Sequence, residues 1–273
     1  MKPILIDAIR DEPNDFRRRS TAREYLQARI LLALQDHGAF TDWAFVGGTA
    51  LRFLFRLPRY SEDLDFSLTR PGPARFEKLM DLVRNDLRAE AYDVEVKART
   101  RAAVASAFVK FRGLLYEIGL SPHDDEVFAV KVEIDTNPPE GAQTETRVVR
   151  RFVMLNLLHY DRSSLFAGKL HAVLTRKYTK GRDLYDLAWY LSDPDWPAPN
   201  LLQLNNALSQ TGWEGPTVTT TNWCSLVRDK LVTVDWAQVR REITPFLERE
   251  QDVAFVSREV LFPLLSQNRG QER

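Results

Sequence analysis

One segment, VGGTALRFLFRLPRYSEDLDF at residues 46–66, constrains the fold more than any other part of the chain. It begins at the end of a short apolar run, residues 43–46, which predicts a strand. The Gly47-Gly48 pair then predicts a turn, and the pattern after it predicts about two turns of helix, which Pro58 ends. Alternation in residues 63–68 predicts a second strand. The segment therefore combines a glycine turn, a helix start and, on the next strand, a pair of acids.

The residues of this segment have chemical uses that fit together. Gly47 and Gly48 carry no Cβ, so a phosphate chain can approach the backbone closely. The helix start presents N–H groups and the positive end of its dipole to an anion, and Thr49 adds a hydroxyl there. Asp63 and Asp65 are two apart on a predicted strand, so both project from one face and can hold divalent cations. The pattern favours phosphoryl chemistry at a metal pair.

Each part of the pattern also has a purely structural explanation. A diglycine is often only a turn, an Asp-x-Asp pair on a strand is often a solvated or salt-bridged edge, and Thr49 can simply cap the helix. Arg52, Arg56 and Arg59 follow the turn, where they either contact phosphate or RNA or form a solvated basic edge. The order of turn, helix and acidic strand is what favours the functional interpretation.

Length and composition predict a soluble protein of two modest domains. The chain has 273 residues, of which 44% are apolar and 28% charged, as in ordinary globular proteins. No stretch reaches the 18 or so uncharged apolar residues of a membrane span, and the N-terminus lacks the apolar segment of a secretory signal. Cys224 is the only cysteine, so we expect no internal disulfide and a cytoplasmic location. The 38 basic and 38 acidic residues neither demand nor exclude a nucleic-acid partner.

The pattern of elements predicts an α+β domain at residues 1–158 and a helical domain at residues 159–273. A helix is expected at 20–39, with Ser20 or Thr21 as its N-cap. Further predicted elements of the first domain are an amphipathic helix at 74–90 and strands near 92–99, 105–112 and 127–135. Helical patterns rich in Tyr, Trp and Leu dominate after about residue 160.

Two groups of motifs give the chain a resemblance to a known family. A GGTALR segment at Gly47–Arg52 is followed by SEDLDF at Ser61–Phe66. This order resembles the polymerase-β-like nucleotidyltransferase superfamily and, within it, the AbiEii/AbiGii toxin family. A downstream helical block is similar to the same branch and reads Lys169-Leu170-His171-Ala172, then Arg176, then Arg182-Asp183-Leu184-Tyr185-Asp186-Leu187. The resemblance covers roughly residues 40–195.

The resemblance implies a fold and a substrate site. The implied fold is a nucleotidyltransferase core, with a mixed sheet flanked by helices, followed by an α-helical C-terminal domain. The implied enzyme transfers a nucleoside monophosphate from an NTP in a magnesium-dependent reaction. Gly47, Gly48 and Thr49 would hold the NTP phosphates, and Asp63 and Asp65 would bind two Mg²⁺ ions.

The resemblance also implies three further functional residues. A third carboxylate on a later strand usually completes the metal set, and the strand VKVEID offers Glu133 and Asp135. We prefer Glu133 because it sits inside the strand. The toxin branch further needs a lysine and a later aspartate, which correspond to Lys169 and to either Asp183 or Asp186, with Asp186 preferred.

The helical block allows a structural explanation for each of these residues. Lys169 falls on a helical stripe with Leu165 and Val173. Its stem can lie on that surface while its charge stays in water, or its ammonium can reach the triphosphate. Arg182 and Asp186 are four apart, so an ordinary helix ion pair is an alternative for the aspartate.

The partners implied by the resemblance are those of a bacterial toxin. The chain would be the toxin of a toxin–antitoxin or abortive-infection system, with a separately encoded antitoxin as its partner. The acceptor would be RNA, at the 3′ end of tRNA. Two alternatives remain open: the same chemistry on a protein or small molecule, and a nucleotide-binding module without turnover.

Overall fold

One mixed β-sheet and a series of helices make up the computed structural model, which describes residues 2–72, 75–101 and 103–267. The α-helices of these residues are α1 (Lys2–Arg10), α2 (Asp15–Asp36), α3 (Gly47–Phe55), α4 (Phe76–Ala89), α5 (Leu114–Glu117), α6 (Arg162–Thr175), α7 (Gly181–Ser192), α8 (Leu201–Gln210), α9 (Trp223–Leu231), α10 (Trp236–Ile243) and α11 (Arg258–Gln267). The strands are β1 (Trp43–Val46), β2 (Leu64–Leu68), β3 (Val94–Arg101), β4 (Val104–Phe111), β5 (Phe128–Asp135), β6 (Thr144–Arg151) and β7 (Val153–Tyr160). Short 3₁₀ turns occur at Ala39–Thr41, Thr244–Phe246 and Glu250–Phe255.

The chain divides into two compact units. The first holds the chain up to Arg56, Tyr60–Pro138 and Glu145–His159, and the second holds Leu57–Arg59, Pro139–Thr144 and the chain from Tyr160 onward. The main division falls after His159, one residue beyond the predicted boundary at residue 158. The two short earlier segments that group with the second unit were not foreseen.

The sheet of the first unit is mixed, in the order β3-β4-β5-β2-β1-β7-β6. β1 and β2 are antiparallel, β2 and β5 are parallel, and β1 meets β7 in parallel at Phe45 and His159. β3, β4 and β5 form an antiparallel meander. The predicted fold class, an α+β core with a mixed sheet followed by helices, is confirmed.

Alternation in β5 shows why this sheet has one buried and one open face. Phe128, Val130, Val132 and Ile134 are buried, while the residues between them are only half-buried. Successive side chains of a strand point to opposite faces, so the apolar set lies on the core side. The amphipathic helix α4 buries its own apolar stripe, which includes Leu79 and Val83, and packs against β3 and β4. The predicted start of this helix, Ala74, lies outside the described residues.

The predicted N-cap of the long helix is wrong. The helix begins at Asp15, and the side chain of Asn14 caps it by accepting a hydrogen bond from the Arg17 N–H at 2.9 Å. Thr21 lies inside the helix, where its hydroxyl donates to the Glu12 carboxylate at 2.7 Å. The helix start was predicted at residue 20 from the apolar stripe. That stripe begins after the helix itself does, because the first helical turns are polar.

Aromatic side chains form part of the interior of the second unit. Phe166 of α6 stacks on Tyr190 of α7, with ring centroids 4.8 Å apart. Trp196 meets Tyr190 edge-on at 4.7 Å, and Trp223 meets Phe166 edge-on at 5.7 Å. Such pairs add about 0.5–1.5 kcal/mol each beyond the burial of their area.

None of the helices in the described part of the chain combines the length and apolarity needed to cross a membrane.

Candidate active site

The glycine turn and the second aspartate are in contact. β1 ends at Val46, which lies opposite Asp65 in the antiparallel β1–β2 pair. Gly47 follows with φ +79° and opens α3. A Cβ on Gly47 would collide with Oδ2 of Asp65 and lie 3.0 Å from its Cβ. The carboxylate therefore rests against the backbone of the turn, in space that only glycine leaves.

Three carboxylates share the open face of the sheet next to this turn. Asp63 directly precedes β2 and is two residues from Asp65, so the two side chains project to the same face. Glu133 of β5 lies opposite Asp65 in the parallel β2–β5 pair and is half-exposed. Asp135 lies two residues further along β5, opposite Ser67 of β2. This register puts Glu133 beside Asp65 and so favours Glu133 over Asp135 as the third carboxylate.

Asp135 has a local role of its own. Its Oδ1 accepts a hydrogen bond from the Asn137 N–H at 2.9 Å, in the turn that ends β5. Burial raises the pKa of Asp135 above its ordinary value, and the bond from Asn137 only partly opposes that shift. A carboxyl that resists ionisation and caps a turn is less suited to holding a cation than the half-exposed Glu133.

Lys131 supplies positive charge to the carboxylates. Its Nζ lies 2.7 Å from Oε2 of Glu133. The pKa of Lys131 is raised, first by the hydrogen bond to Glu133 and then, against the effect of burial, by the charges of Glu133, Asp63 and Asp65. The carboxylate face thus already attracts one cation from within the chain.

The carboxylate face also suits a divalent cation. Across residues 2–72, 75–101 and 103–267, no three acidic, histidine or cysteine side chains converge as a ready-made metal site. Magnesium sites in phosphate chemistry generally use one or two carboxylates and complete the shell with water and substrate phosphates. A pair two apart, Asp63 and Asp65, with a third acid on the adjoining strand, fits that donor set.

Three side chains hold the segment that leads into Asp63. The Thr49 hydroxyl donates to the backbone carbonyl of Asp63, and the Gln27 amide donates to the carbonyl of Ser61 at 3.0 Å. The guanidinium of Arg52 lies 4.4 Å from the ring centroid of Tyr60. Thr49 and Gln27 are fully buried. These contacts fix the backbone from which the first aspartate projects.

The hydroxyl and the backbone amide of Thr49 have different roles at the site. The hydroxyl proton is engaged by Asp63, so it is not offered to a phosphate. The first N–H groups of α3, at Gly47, Gly48 and Thr49, belong to a helix start, where such groups have no partner within the helix. A phosphate at this helix start would therefore meet backbone amides, and the phosphate-binding role of the three residues stays a prediction.

Replacing Gly47 with Ala tests the contact between turn and carboxylate. We expect NMP transfer to fall about 10²-fold, because the added methyl group displaces Asp65 from its position. Gly38→Ala is the matched control: Gly38 also has positive φ, at +70°, but a methyl group added there would meet no atom within 4 Å. Both variants place a side chain at a positive φ, so equal activities would show that the contact with Asp65 is unimportant. The measurement is the initial rate of transfer, with thermal melting to compare stability.

The hydrogen bond from the Thr49 hydroxyl to the Asp63 carbonyl acts as a clamp on Asp63, and replacing Thr49 with Val tests it. The substitution keeps the shape of the side chain but leaves the Asp63 carbonyl without its donor, so we expect a loss of about 1–3 kcal/mol in unfolding free energy and a lower kcat. Thr21→Val removes a comparable hydroxyl hydrogen bond in α2. If the clamp supports the site, only Thr49→Val lowers kcat. The two variants are compared at equal folded fraction, which urea titrations determine.

Two of the arginines after the turn are not surface residues. Arg52 and Arg59 are 4% and 2% exposed, so neither forms a solvated basic edge. Arg52 pairs with the buried Glu24 at 2.5 Å, and Glu24 also pairs with Arg151. The expectation that these arginines contact phosphate, RNA or water is wrong for both, because each is committed to a buried carboxylate.

The second unit contains a buried ionic network. Asp186 is fully buried and receives two hydrogen bonds from Arg59, at 2.6 and 2.7 Å, in the bidentate geometry typical of strong Arg–carboxylate pairs. Its Oδ2 lies 2.6 Å from Nζ of Lys169. Lys169 also lies 3.1 Å from Asp183, which in turn pairs with Arg176. The structure thus brings Lys169 together with both candidate aspartates.

The network keeps Asp186 and Lys169 charged. Burial by itself would raise the pKa of Asp186, but the charges of Arg59 and Lys169 hold that pKa below its ordinary value. Burial would likewise lower the pKa of Lys169, and Asp186 and Asp183 raise it instead. Lys169 is therefore a largely buried ammonium between two carboxylates, with a side chain that is 14% exposed.

The ion pairs of Asp186 differ from the predicted helix ion pair with Arg182. Its partners include Arg59, which is 127 positions away in the chain, and Lys169. Arg182, the expected helix partner, places its guanidinium 4.7 Å from the ring centroid of Phe246. Nothing in the sequence around Arg59 indicates this pairing, since its partner lies in a distant helix.

Comparison with solved structures shows the fold. The chain is similar to a proposed nucleotidyltransferase from H. pylori, with 19% identity and a TM-score of 0.52 over 90% of this chain and 93% of that chain. It is also similar to JHP933 from Helicobacter pylori, with 19% identity and a TM-score of 0.53 over 92% of this chain and 91% of that chain. No curated protein matches the sequence significantly.

A family model identifies the chain more specifically. The model described as "Nucleotidyl transferase AbiEii toxin, Type IV TA system" matches residues 29–257, which is well over half of the chain. The match includes the glycine turn, the three carboxylates and the helical block with Lys169 and Asp186. The predicted family is confirmed: the chain belongs to the AbiEii nucleotidyl transferase toxin family of type IV toxin–antitoxin systems.

Proposed function

We propose that the protein transfers a nucleoside monophosphate from an NTP to the 3′ end of an RNA, with tRNA as the acceptor. One observation carries the proposal: Asp65 rests against the Gly47 turn at a helix start, with Asp63 and Glu133 on the same face. Phosphate-binding backbone and cation-binding carboxylates are thereby combined at one point. The acceptor follows from the resemblance to RNA-modifying toxins and is the part that the experiment below tests.

The backbone of the turn provides for the triphosphate. Gly47 and Gly48 allow close approach, and the amides at the start of α3 donate to phosphate oxygens. The clamp at Thr49 and Gln27 keeps the Asp63 segment in place while the substrate binds. Phosphoryl transfer depends mainly on positioning and on neutralising charge, and a rigid turn and strand supply both.

The carboxylates provide for the cations of the reaction. Asp63 and Asp65 would hold Mg²⁺, with Glu133 as the third ligand. When bound, such ions neutralise phosphate charge and favour deprotonation of the attacking hydroxyl. Lys131, which pairs with Glu133 at 2.7 Å, would offset part of the negative charge of the carboxylates.

Lys169 and Asp186 enter the proposal as a pair in the second unit. Lys169 lies 3.1 Å from Asp183 and 2.6 Å from Asp186, and these two acids raise its pKa against the effect of burial, so the lysine carries its charge. We propose that this charge on Lys169 is needed for nucleotide transfer. Asp186 would then orient the lysine.

The protein's toxin role implies a separately encoded antitoxin. The type IV family supports such a partner. We propose that expression of the chain alone arrests bacterial growth, that the antitoxin relieves the arrest, and that loss of the Asp65 carboxylate relieves it as well.

Incubation with each α-³²P-labelled NTP and Mg²⁺ tests the proposed acceptor. Parallel reactions contain total tRNA, the protein fraction of a cell lysate, or its small-molecule fraction. We expect label on RNA, at a position that 3′-exonuclease removes first. Label on protein or on small molecules alone would replace the RNA acceptor, and no label in any reaction would contradict the proposed transfer altogether.

A further inference from the structure

The open face of β3, β4 and β5 carries cations around an exposed aromatic ring. Phe108 in the middle of β4 is 44% exposed. Lys97 and Arg99 of β3 are exposed on its one side, and Lys131 of β5 is half-exposed on the other. The opposite face of β4 is closed, since Ala105, Ala107, Val109 and Phe111 are all buried.

Strand register aligns these residues in rows that cross the sheet. Lys97 lies opposite Phe108, and Phe108 lies opposite Lys131. The next row runs from Arg99 through Ser106 and Glu133 to Asp65. Three strand spacings separate its ends, which is about 14 Å. The basic edge of the sheet is thus connected to the proposed catalytic carboxylates along one continuous surface.

The charge of this surface suits a polyanion. Lys97, Arg99, Lys110 and Arg112 lie on or beside the face formed by β3 and β4. Two acids lie among them: Asp93 acts on Arg112 through its charge, and Glu95 pairs with Arg112 at 2.5 Å and with Lys97 at 3.0 Å. Those two pairs hold the pKa of Glu95 at about 2, with the bond from Arg112 as the main cause. Phe108 is exposed between Lys97 and Lys131, which lie opposite it on the two neighbouring strands. Val104, a second exposed apolar side chain of β4, lies opposite Asp135.

We propose that this face, defined by Lys97, Arg99, Phe108 and Lys131, binds the single-stranded 3′ end of the acceptor RNA. The inference rests on the proposed function and adds the surface along which the acceptor reaches the carboxylates. Proteins that bind single strands combine cations along the backbone with aromatic rings on which bases stack. Sheets with exposed aromatics are one established form of such a platform. A base stacks on Phe108, phosphates contact Lys97 and Arg99, and the terminal hydroxyl points toward Asp65.

Binding of a fluorescent single-stranded oligoribonucleotide, followed by anisotropy in the full-length protein, tests the surface without turnover. We expect Phe108→Leu to weaken binding about tenfold, and Phe108→Tyr to restore it because the ring is kept. Lys97→Ala and Arg99→Ala should each weaken binding and lower the slope of log Kd against log salt by about 0.7. Lys78→Ala is the matched control, because Lys78 is exposed on α4, which packs against the closed face of the same strands.

Transfer kinetics on the same variants separate this inference from the proposed function. The surface predicts a raised KM for RNA with unchanged KM for the NTP. Unchanged RNA binding in Phe108→Leu and in both cation variants would overturn the surface, even if the wild type labels RNA. Loss of binding in those variants, in a protein that labels no RNA, would support the surface and refute the transfer. Equal binding of a DNA strand of the same sequence would support the proposed binding surface and show that it recognises phosphates and bases. Failure of the wild-type protein to bind any strand would overturn the proposed surface.

Discussion

Asp63→Asn and Asp65→Asn variants are expected to fold normally and to lose NMP transfer by about 10³-fold or more. Asn has the size of Asp but no negative charge, so it cannot hold a divalent cation among phosphates. Both side chains lie on the half-open face of the sheet, and the apolar core on the other face is untouched. The loss is measured as the rate of label transfer from NTP at saturating Mg²⁺.

The neighbouring acids provide graded controls for this result. Glu133→Gln should also lower transfer strongly, because Glu133 lies opposite Asp65. Asp135→Asn should have a smaller effect, since Asp135 lies opposite Ser67 and caps a turn. Asp81→Asn, at an exposed position of α4, should have none. Full activity in both the Asp63 and Asp65 variants would refute the proposed site, and a stronger loss in Asp135→Asn than in Glu133→Gln would reverse the choice of third carboxylate.

Asp186→Ala is expected to lower the free energy of unfolding by about 3–5 kcal/mol. The substitution removes the carboxylate that pairs with both Arg59 and Lys169, and removing one partner of a buried ion pair is strongly destabilising. For a chain of this size we expect a fall in Tm of roughly 10 °C. Asp183→Ala should cost less, because its partner Arg176 is 41% exposed and Lys169 keeps Asp186.

The stability of the protein should also depend on pH through Asp186. The pKa of Asp186 is lowered in the folded protein. Its stabilising contribution is therefore fully present above the pKa of the unfolded chain, about 3.9, and is lost as pH falls through the lower folded pKa. The difference in stability between wild type and Asp186→Ala should thus be constant near neutral pH and shrink in strong acid.

Transfer measured well below the Tm distinguishes support of the fold from support of the reaction. If Asp186 only stabilises the second unit, the folded fraction of Asp186→Ala keeps full kcat at low temperature. If it also orients Lys169 toward the NTP, kcat stays low in the folded protein. Asp229→Ala, an exposed acid of α9 in the same unit, is the matched control. A Tm equal to that of the wild type would show that the network does not stabilise the unit.

Local periodicity was sufficient to predict most of the elements that form the site. The strand at 43–46, the glycine turn and the same-face placement of Asp63 and Asp65 depend on residues within a few positions of one another. Such features follow from backbone geometry and side-chain period, which any short segment carries in itself. The start of α2 was missed because its first turns are polar and its cap, Asn14, precedes any apolar stripe.

The sequence by itself determined the family and the mixed α+β fold, because short motifs and their order encode them directly. It also supplied the prediction of which residues bind phosphate and cations. Only the tertiary structure decided that Asp65 rests on Gly47, that Glu133 stands beside Asp65, and that Arg59 reaches Asp186. Strand register and buried ion pairs join residues that are far apart in the chain. They are selected by the packing of whole elements against each other, and no local pattern records which distant partner that packing brings into contact.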